Sequence, residues 1–135
     1  MIFWQINGEY LAKSTVREAL PKPNVLELSK YDITQRIMET LINTCHRNVL
    51  FSIIDLAKDA TQISNELGVS LSAVYKTLTS LEEMSLVTVE KFTFTDDGKK
   101  IKLYKSRIGK AEIKIGNNDT ILELYPNRTT TNYDK

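Results

Sequence analysis

The chain has 135 residues, 41% of them apolar and 26% charged, with 18 Lys and Arg against 17 Asp and Glu for a net charge of +1. That length allows one domain of ordinary size with its own core, and the balance is that of a globular chain, not a disordered one. It excludes a domain that is basic throughout, so any attraction to a polyanion must be local.

The opening Phe3-Trp4-Gln5-Ile6-Asn7-Gly8-Glu9-Tyr10-Leu11 sets Asn-Gly between two β-prone runs. This is the signal of a two-residue hairpin turn, whose residues both take positive φ. Thr15 with Glu18 predicts the cap of a short helix that Pro21 and Pro23 would end. Residues 21–31 read as a connection, with a short strand at 25–28. Asp32 with Gln35 forms a capping-box pattern, after which apolar residues recur at 33, 37, 41 and at 38, 42, 45, 49, 53. That spacing is helical to about Leu56, as one helix or as two joined near 43–47. Asp59 or Thr61 caps the next helix, which runs to Leu67 and stops at Gly68. Ser70 caps a third, continuing to about Met84.

After Leu86 the apolar spacing changes from helical to alternating. Residues 87–95 and 99–107 flank Asp97-Gly98, a second hairpin signal. A two-residue turn there sets Phe94 opposite Ile101 and Phe92 opposite Leu103, on one apolar face. Lys91, Thr93, Lys102 and Tyr104 then share the other. A third hairpin follows, with Ala111, Ile113 and Ile115 alternating before Gly116-Asn117-Asn118-Asp119, and Leu122 and Leu124 after it. Residues 126–135 carry no apolar pattern and read as a disordered tail. Positive charge is concentrated in residues 91–114, where Lys91, Lys99, Lys100, Lys102, Lys105, Arg107, Lys110 and Lys114 face only Asp96, Asp97 and Glu112.

Residues 60–83, ATQISNELGVSLSAVYKTLTSLEE, carry the most information. Two short helices are joined by a tight turn at Gly68, and Ile63 and Leu67 of the first can meet Val74, Leu78 and Leu81 of the second. Val69 plugs the corner. This is a helix-turn-helix pattern, whose second helix can enter the major groove. With Val74 as the inward direction, Ser72, Lys76 and Thr79 point outward and Tyr75 lies on a flank. Ser70 and Ala73 complete the candidate set at the start of that helix. Hydroxyls and an ammonium there suit contacts to bases and phosphates. Lys99 and Lys100 sit at the hairpin tip and Lys102 on its outward face.

With the stretches RNVLFSIID, ATQISNELGVSLSAVYKTLTSLEEMSLV and TDDGKKIKLYKSRI, residues 45–108 resemble the ArsR-like winged helix-turn-helix common among archaeal transcription regulators. The resemblance covers about half the chain. It implies a sequence-specific regulator of double-stranded DNA whose basic wing touches the backbone or the adjacent minor groove; because DNA-binding helix-turn-helix proteins often work as symmetric dimers, a homodimer is expected. Ser64 stands where such motifs usually have Ala, and both are small. The paired cysteines that many of these repressors carry in the recognition helix are missing from residues 71–84.

The expected class is therefore α+β, mainly α: a winged helix-turn-helix over 32–108 with the wing at about 87–107. An N-terminal hairpin and connecting segment (1–31), a C-terminal hairpin (109–125) and the tail (126–135) surround it. The dimer interface is expected from residues 1–45 or 110–125.

Other readings are weaker. Cys45 falls on the apolar series and reads as a small core residue, and His46 is the only histidine, too few ligands for zinc. No cofactor is expected. No Gly-rich phosphate loop, G-x-S-x-G or H-E-x-x-H is present, so no enzyme is expected. Phe3, Trp4 and Tyr10 offer rings for base stacking, but read as core or interface residues. No run approaches the roughly 20 apolar residues that span a bilayer. The start lacks the basic opening and apolar run of a signal peptide; a cytoplasmic location is the expectation. Winged helices also serve as protein–protein modules within transcription complexes, which is the alternative function.

Overall fold

A computed structural model describes residues 2–4, 12–17 and 25–129, the first 32 by backbone alone. The elements are β1 (Ile2–Trp4), β2 (Ala12–Arg17), α1 (Val25–Ile42), α2 (Thr44–Ser52), α3 (Ala60–Leu67), α4 (Leu71–Glu83), β3 (Val87–Phe94), β4 (Lys100–Ser106), β5 (Ile108–Ile115) and β6 (Asp119–Pro126). The class is α+β with helix and strand in comparable share, not mainly α. The chain divides into two compact units, 1–42 with 110–126 and 43–109 with the segment from Asn127. Residues 32–42, expected at the head of the 32–108 domain, thus belong to the first unit.

The first unit is a four-stranded sheet in the order β1-β2-β6-β5, with α1 beside β2. The two terminal hairpins form one sheet, because β2 pairs antiparallel with β6 from Ala12↔Leu124 to Arg17↔Asp119. An isolated hairpin is marginal, and four strands with a buried side are not. Leu122 and Leu124 supply that side, together with Ile37, Met38 and Leu41 of α1 among the buried residues.

Several local expectations are overturned here. Thr15 lies in β2 opposite Ile121, not at a helix cap. The β-branched Thr15 and Val16 suit a strand, and their partner comes from the far end of the chain, where no local signal reaches. The connection and short strand at 21–31 give way to α1 from Val25 onward. Asp32 and Gln35 are mid-helix, and the Gln35 amide donates forward to Glu39 (3.2 Å) instead of reaching back. Adding a turn to an existing helix costs far less than nucleating one, so elongation overrides an internal capping pattern. Trp4 opposes Ala12, one residue further than a two-residue loop at Asn7-Gly8 allows. That loop, Pro21 and Pro23 lie outside the described residues.

The second unit begins where the long helical pattern breaks in two. Asn43 leaves the helix (φ −68°, ψ 121°) and its carbonyl oxygen accepts from the His46 backbone N–H (3.0 Å), capping α2. α2 ends at Ser52, short of the expected Leu56. The apolar series changes phase at that break: Met38 is buried, Ile42 is 65% exposed and Cys45 is half-buried, not core. Below it, Val49, Leu50, Ile53, Ile63, Val74, Leu78, Leu81, Leu86 and Ile108 form a closed core.

Asp59 and Gln62 make a full capping box, each side chain accepting from the other's backbone N–H (2.8 and 3.0 Å). Gly68 closes α3 in the left-handed conformation (φ +66°), which a Cβ would strain. The Ser64 hydroxyl donates to the Val69 carbonyl (2.5 Å), tying α3 to the turn. Ser70 then caps α4 by accepting from Ala73 N–H (3.2 Å). β3 and β4 pair antiparallel, and Lys58 joins the other edge of β4 through two backbone bonds to Tyr104 (3.1 and 2.8 Å). The first residues of the expected disordered tail are ordered instead, and residues 130–135 lie outside the described residues. Pro126 ends β6, and the Asn127 amide donates to the carbonyls of Ile54 (2.8 Å) and Ser106 (2.9 Å) while its N–H donates to Arg107.

Candidate functional site

Two surfaces of the second unit carry the chemistry expected from the sequence. The first is the outward side of α4. Val74, Thr77, Leu78 and Leu81 are buried, which leaves Ser72, Tyr75, Lys76 and Thr79 exposed on the opposite side. Ser70 is exposed at the cap and its hydroxyl lies 3.4 Å from that of Ser72. Ala73 is half-buried. Thr79 is already committed in part, its hydroxyl donating back to the Tyr75 carbonyl (2.9 Å). Leu71, absent from the expected set, is also exposed at this end. Glu82 and Glu83 are exposed at the far end, so the positive potential of α4 rests on Lys76 alone.

The flank of α4 faces the sheet. Tyr104 is buried on β4, and its phenol is pushed above the ordinary value by burial first, then by Glu82 and Tyr75. Tyr75 itself is half exposed.

The second surface is the β3–β4 hairpin, where the expected register is corrected. Phe94 opposes Lys100, Phe92 opposes Lys102, Thr93 opposes Ile101 and Lys91 opposes Leu103. Every pair is one residue away from the two-residue-turn arrangement. The cause is the loop. Thr95 N–H donates to the Lys99 carbonyl (2.9 Å) and Gly98 N–H to the Thr95 carbonyl (2.9 Å), leaving Asp96, Asp97 and Gly98 as a three-residue loop. Gly98 takes φ +84°, the left-handed position such a loop needs. The Thr95 hydroxyl also bonds Asp97 and accepts from Lys99 N–H (3.0 Å). Further down, the register slips between Val89 and Lys91, with Glu90 as the bulge residue.

A one-residue slip moves every side chain to the other face. The apolar and basic faces expected of this hairpin are therefore not segregated. Phe92 and Phe94 share a face with Lys100 and Lys102, and all four are exposed. Phe92 is 41% and Phe94 68% exposed, and the Lys100 ammonium lies over the Phe92 ring, 3.8 Å from its centroid. Thr93, Ile101 and Leu103 on the other face are half-buried or buried. The two-residue turn read from the sequence places Phe92 and Phe94 on the apolar face; the three-residue loop turns them to solvent. The signal that locates them is the Asp-Asp-Gly run read as a three-residue loop, with Thr95 ready to close it.

All three hairpin lysines expected to meet a polyanion, Lys99, Lys100 and Lys102, are exposed. Neither they nor Lys76 forms an ion pair among the described residues. The other lysines of the positive segment are engaged: Lys105 is buried and donates to the Asp55 carbonyl, Lys110 pairs with Glu112, and Lys114 pairs with Glu112 and Glu123.

His46 holds its ring Nδ1 2.9 Å from the Asn43 side-chain oxygen, a local cap contact. Among the described residues, no group of three or more His, Cys, Asp or Glu is placed to hold a metal ion, and no helix is long and apolar enough to cross a membrane. No family model, curated protein or solved structure matches this chain.

Proposed function

We propose that the second unit is a winged helix-turn-helix and that the protein is a sequence-specific regulator binding double-stranded DNA. On this reading α4 enters the major groove, with Ser70, Ser72, Ala73, Tyr75, Lys76 and Thr79 as its contact set. The β3–β4 hairpin is the wing, gripping flanking phosphates through Lys99, Lys100 and Lys102. The observation that carries the reading is the pairing of a capped, outward-facing helix with a neighbouring hairpin whose Lys99, Lys100 and Lys102 form no ion pair among the described residues. An ammonium without a counter-ion is free to replace the cations condensed on a duplex, and that exchange supplies sequence-independent affinity. Exposed hydroxyls at the start of α4 then read bases or bond phosphates.

The protein acts here as a binding module without catalysis, and as a homodimer whose two α4 helices meet successive major grooves one turn apart. Exposed Ile33, Ile42 and Ile115 in the first unit supply apolar surface for that interface. Sedimentation that stays monomeric at micromolar concentration removes the dimer.

The decisive experiment is a mobility shift with random duplex at about 50 mM salt, where even non-specific binders are retarded. Retardation that weakens steeply with added salt is the expected result. No retardation, with recovery of a stable protein partner, establishes the alternative of a protein–protein module in a transcription complex.

A further inference from the structure

Phosphate contacts engage the lysines of the hairpin and leave its aromatic rings without a task. Phe94 is 68% exposed, next to the loop, on a strand where burial of a ring elsewhere would stabilise the fold. Phe92 lies two residues back on the same face, already met by the Lys100 ammonium. Exposed apolar surface rimmed by cations that form no ion pair among the described residues marks a contact site, not a packing element.

We propose that Phe94, with Phe92 behind it, wedges into an opened base step of duplex DNA while Lys100 and Lys102, and Lys99 beside the loop, hold the phosphates on either side. This rests on the DNA-binding reading and deepens it by naming the residues that deform the duplex. Charge selects the occupant. Phosphates flank every base step, and here each ring stands across the strands from a lysine, Phe94 from Lys100 and Phe92 from Lys102, so a ring inserted in a step has an ammonium beside it for the phosphate. Stacking is also tolerant of sequence, because every base has a π face.

Geometry selects the direction of approach. Asp96 and Asp97 occupy the loop, and their carboxylates oppose end-on entry into a field of phosphates. Phe92, Phe94, Lys100 and Lys102 stand off the flat of the hairpin, so it is this face that meets the groove. The loop is closed by the Thr95–Lys99 backbone bond and by Thr95 bonding Lys99 N–H, which fixes the end of β3 and lowers the cost of ordering Phe94 on binding. Unstacking a step is least costly at flexible pyrimidine–purine steps, so the wedge favours a TA step under the wing.

The test uses the full chain and a duplex of about 30 base pairs with a fluorescent adenine analogue, quenched by stacking, in a central TA step. Saturating protein is expected to raise its fluorescence. Phe94→Ala is expected to abolish that rise and to weaken binding by about tenfold, with the salt slope unchanged because no charge is lost. Its melting temperature should match that of the parent chain, since the ring is mostly solvent-exposed. Retardation of the duplex with no change in fluorescence, or with Phe94→Ala matching the parent in both readouts, overturns the wedge and leaves the DNA-binding reading standing. Tighter binding to the single strand than to the duplex also overturns it. No retardation of any duplex overturns both.

Discussion

The helix-turn-helix pair and the hairpin after it belong to one unit, yet they are specified differently. Between Asp59 and Glu83 every boundary is set by partners within five residues: Asp59 with Gln62, Ser64 with Val69, Ser70 with Ala73. In the hairpin, the choice of a three-residue over a two-residue loop and the bulge at Glu90 decide which side chains face solvent. The chemistry they expose differs too. α4 offers hydroxyls and one lysine, while the hairpin offers two exposed rings and three exposed lysines that form no ion pair among the described residues. On the proposed DNA-binding function, selectivity would rest on the locally determined helix and affinity on the hairpin whose register depends on its turn.

The largest effect that would sharpen this contrast comes from the core they share. Leu81→Ala should cost about 2–5 kcal/mol, because Leu81 is fully buried and its site can relax only in part. Thermal unfolding followed by circular dichroism measures it, and helix and strand signals should be lost together.

Two matched glycine substitutions come next. Gly68 and Gly98 both have positive φ, and a Cβ at either meets nothing within 4 Å, so the cost is backbone strain alone. Gly68→Ala should lower global stability by about 1–2 kcal/mol, since the turn orients α4 on α3. Gly98→Ala should leave the melting temperature nearly unchanged and speed amide exchange at Gly98 and Lys99, because residues 96–100 are exposed. Equal losses of global stability from the two would erase the contrast.

Asp59→Ala removes one side of the capping box and should cost about 1 kcal/mol, seen as a lower denaturant midpoint with unchanged slope. The Lys99→Ala/Lys100→Ala pair should leave stability alone while reducing the slope of log affinity against log salt by about 2. Lys76→Ala or Tyr75→Ala should alter site preference more than that slope. A wing variant with the parent's slope removes the wing assignment.

The smallest effects are electrostatic. Tyr104 is held above 10.0, mainly by burial, so the folded state binds its proton more tightly than the unfolded state does. Its contribution is complete below that ordinary value and is lost as pH rises through the folded one, an alkaline loss visible in phenolate absorbance. Asp97 is held below 3.8, first by the Thr95 hydroxyl and then by its own backbone N–H and that of Lys99. Its contribution is present above that value and lost as pH falls through the folded one. Amide shifts of Asp97 and Lys99 should therefore be flat at neutral pH and move only in acid.

The site was legible from sequence wherever helical phase sufficed. Counting from Val74 puts Ser72, Lys76 and Thr79 outward, and they are exposed. It failed where a loop residue had to be counted. Reading Asp97-Gly98 as the whole turn sent Phe92 and Phe94 inward, when Asp96 belongs to the loop as well. Ser64, passed over as a small residue equivalent to Ala, uses its hydroxyl to tie the turn. Asn127, assigned to a structureless tail, closes two carbonyls of the second unit.

By itself, the sequence determined α3, its turn, α4 and the side α4 turns outward, because helix hydrogen bonds and caps join residues no more than a few positions apart. Only the tertiary structure decided that Thr15 is a strand residue, that the two ends of the chain share one sheet, and that the rings of the hairpin meet solvent beside its lysines. Strand partners lie far away along the chain, and a shift of one residue in their pairing exchanges the two faces.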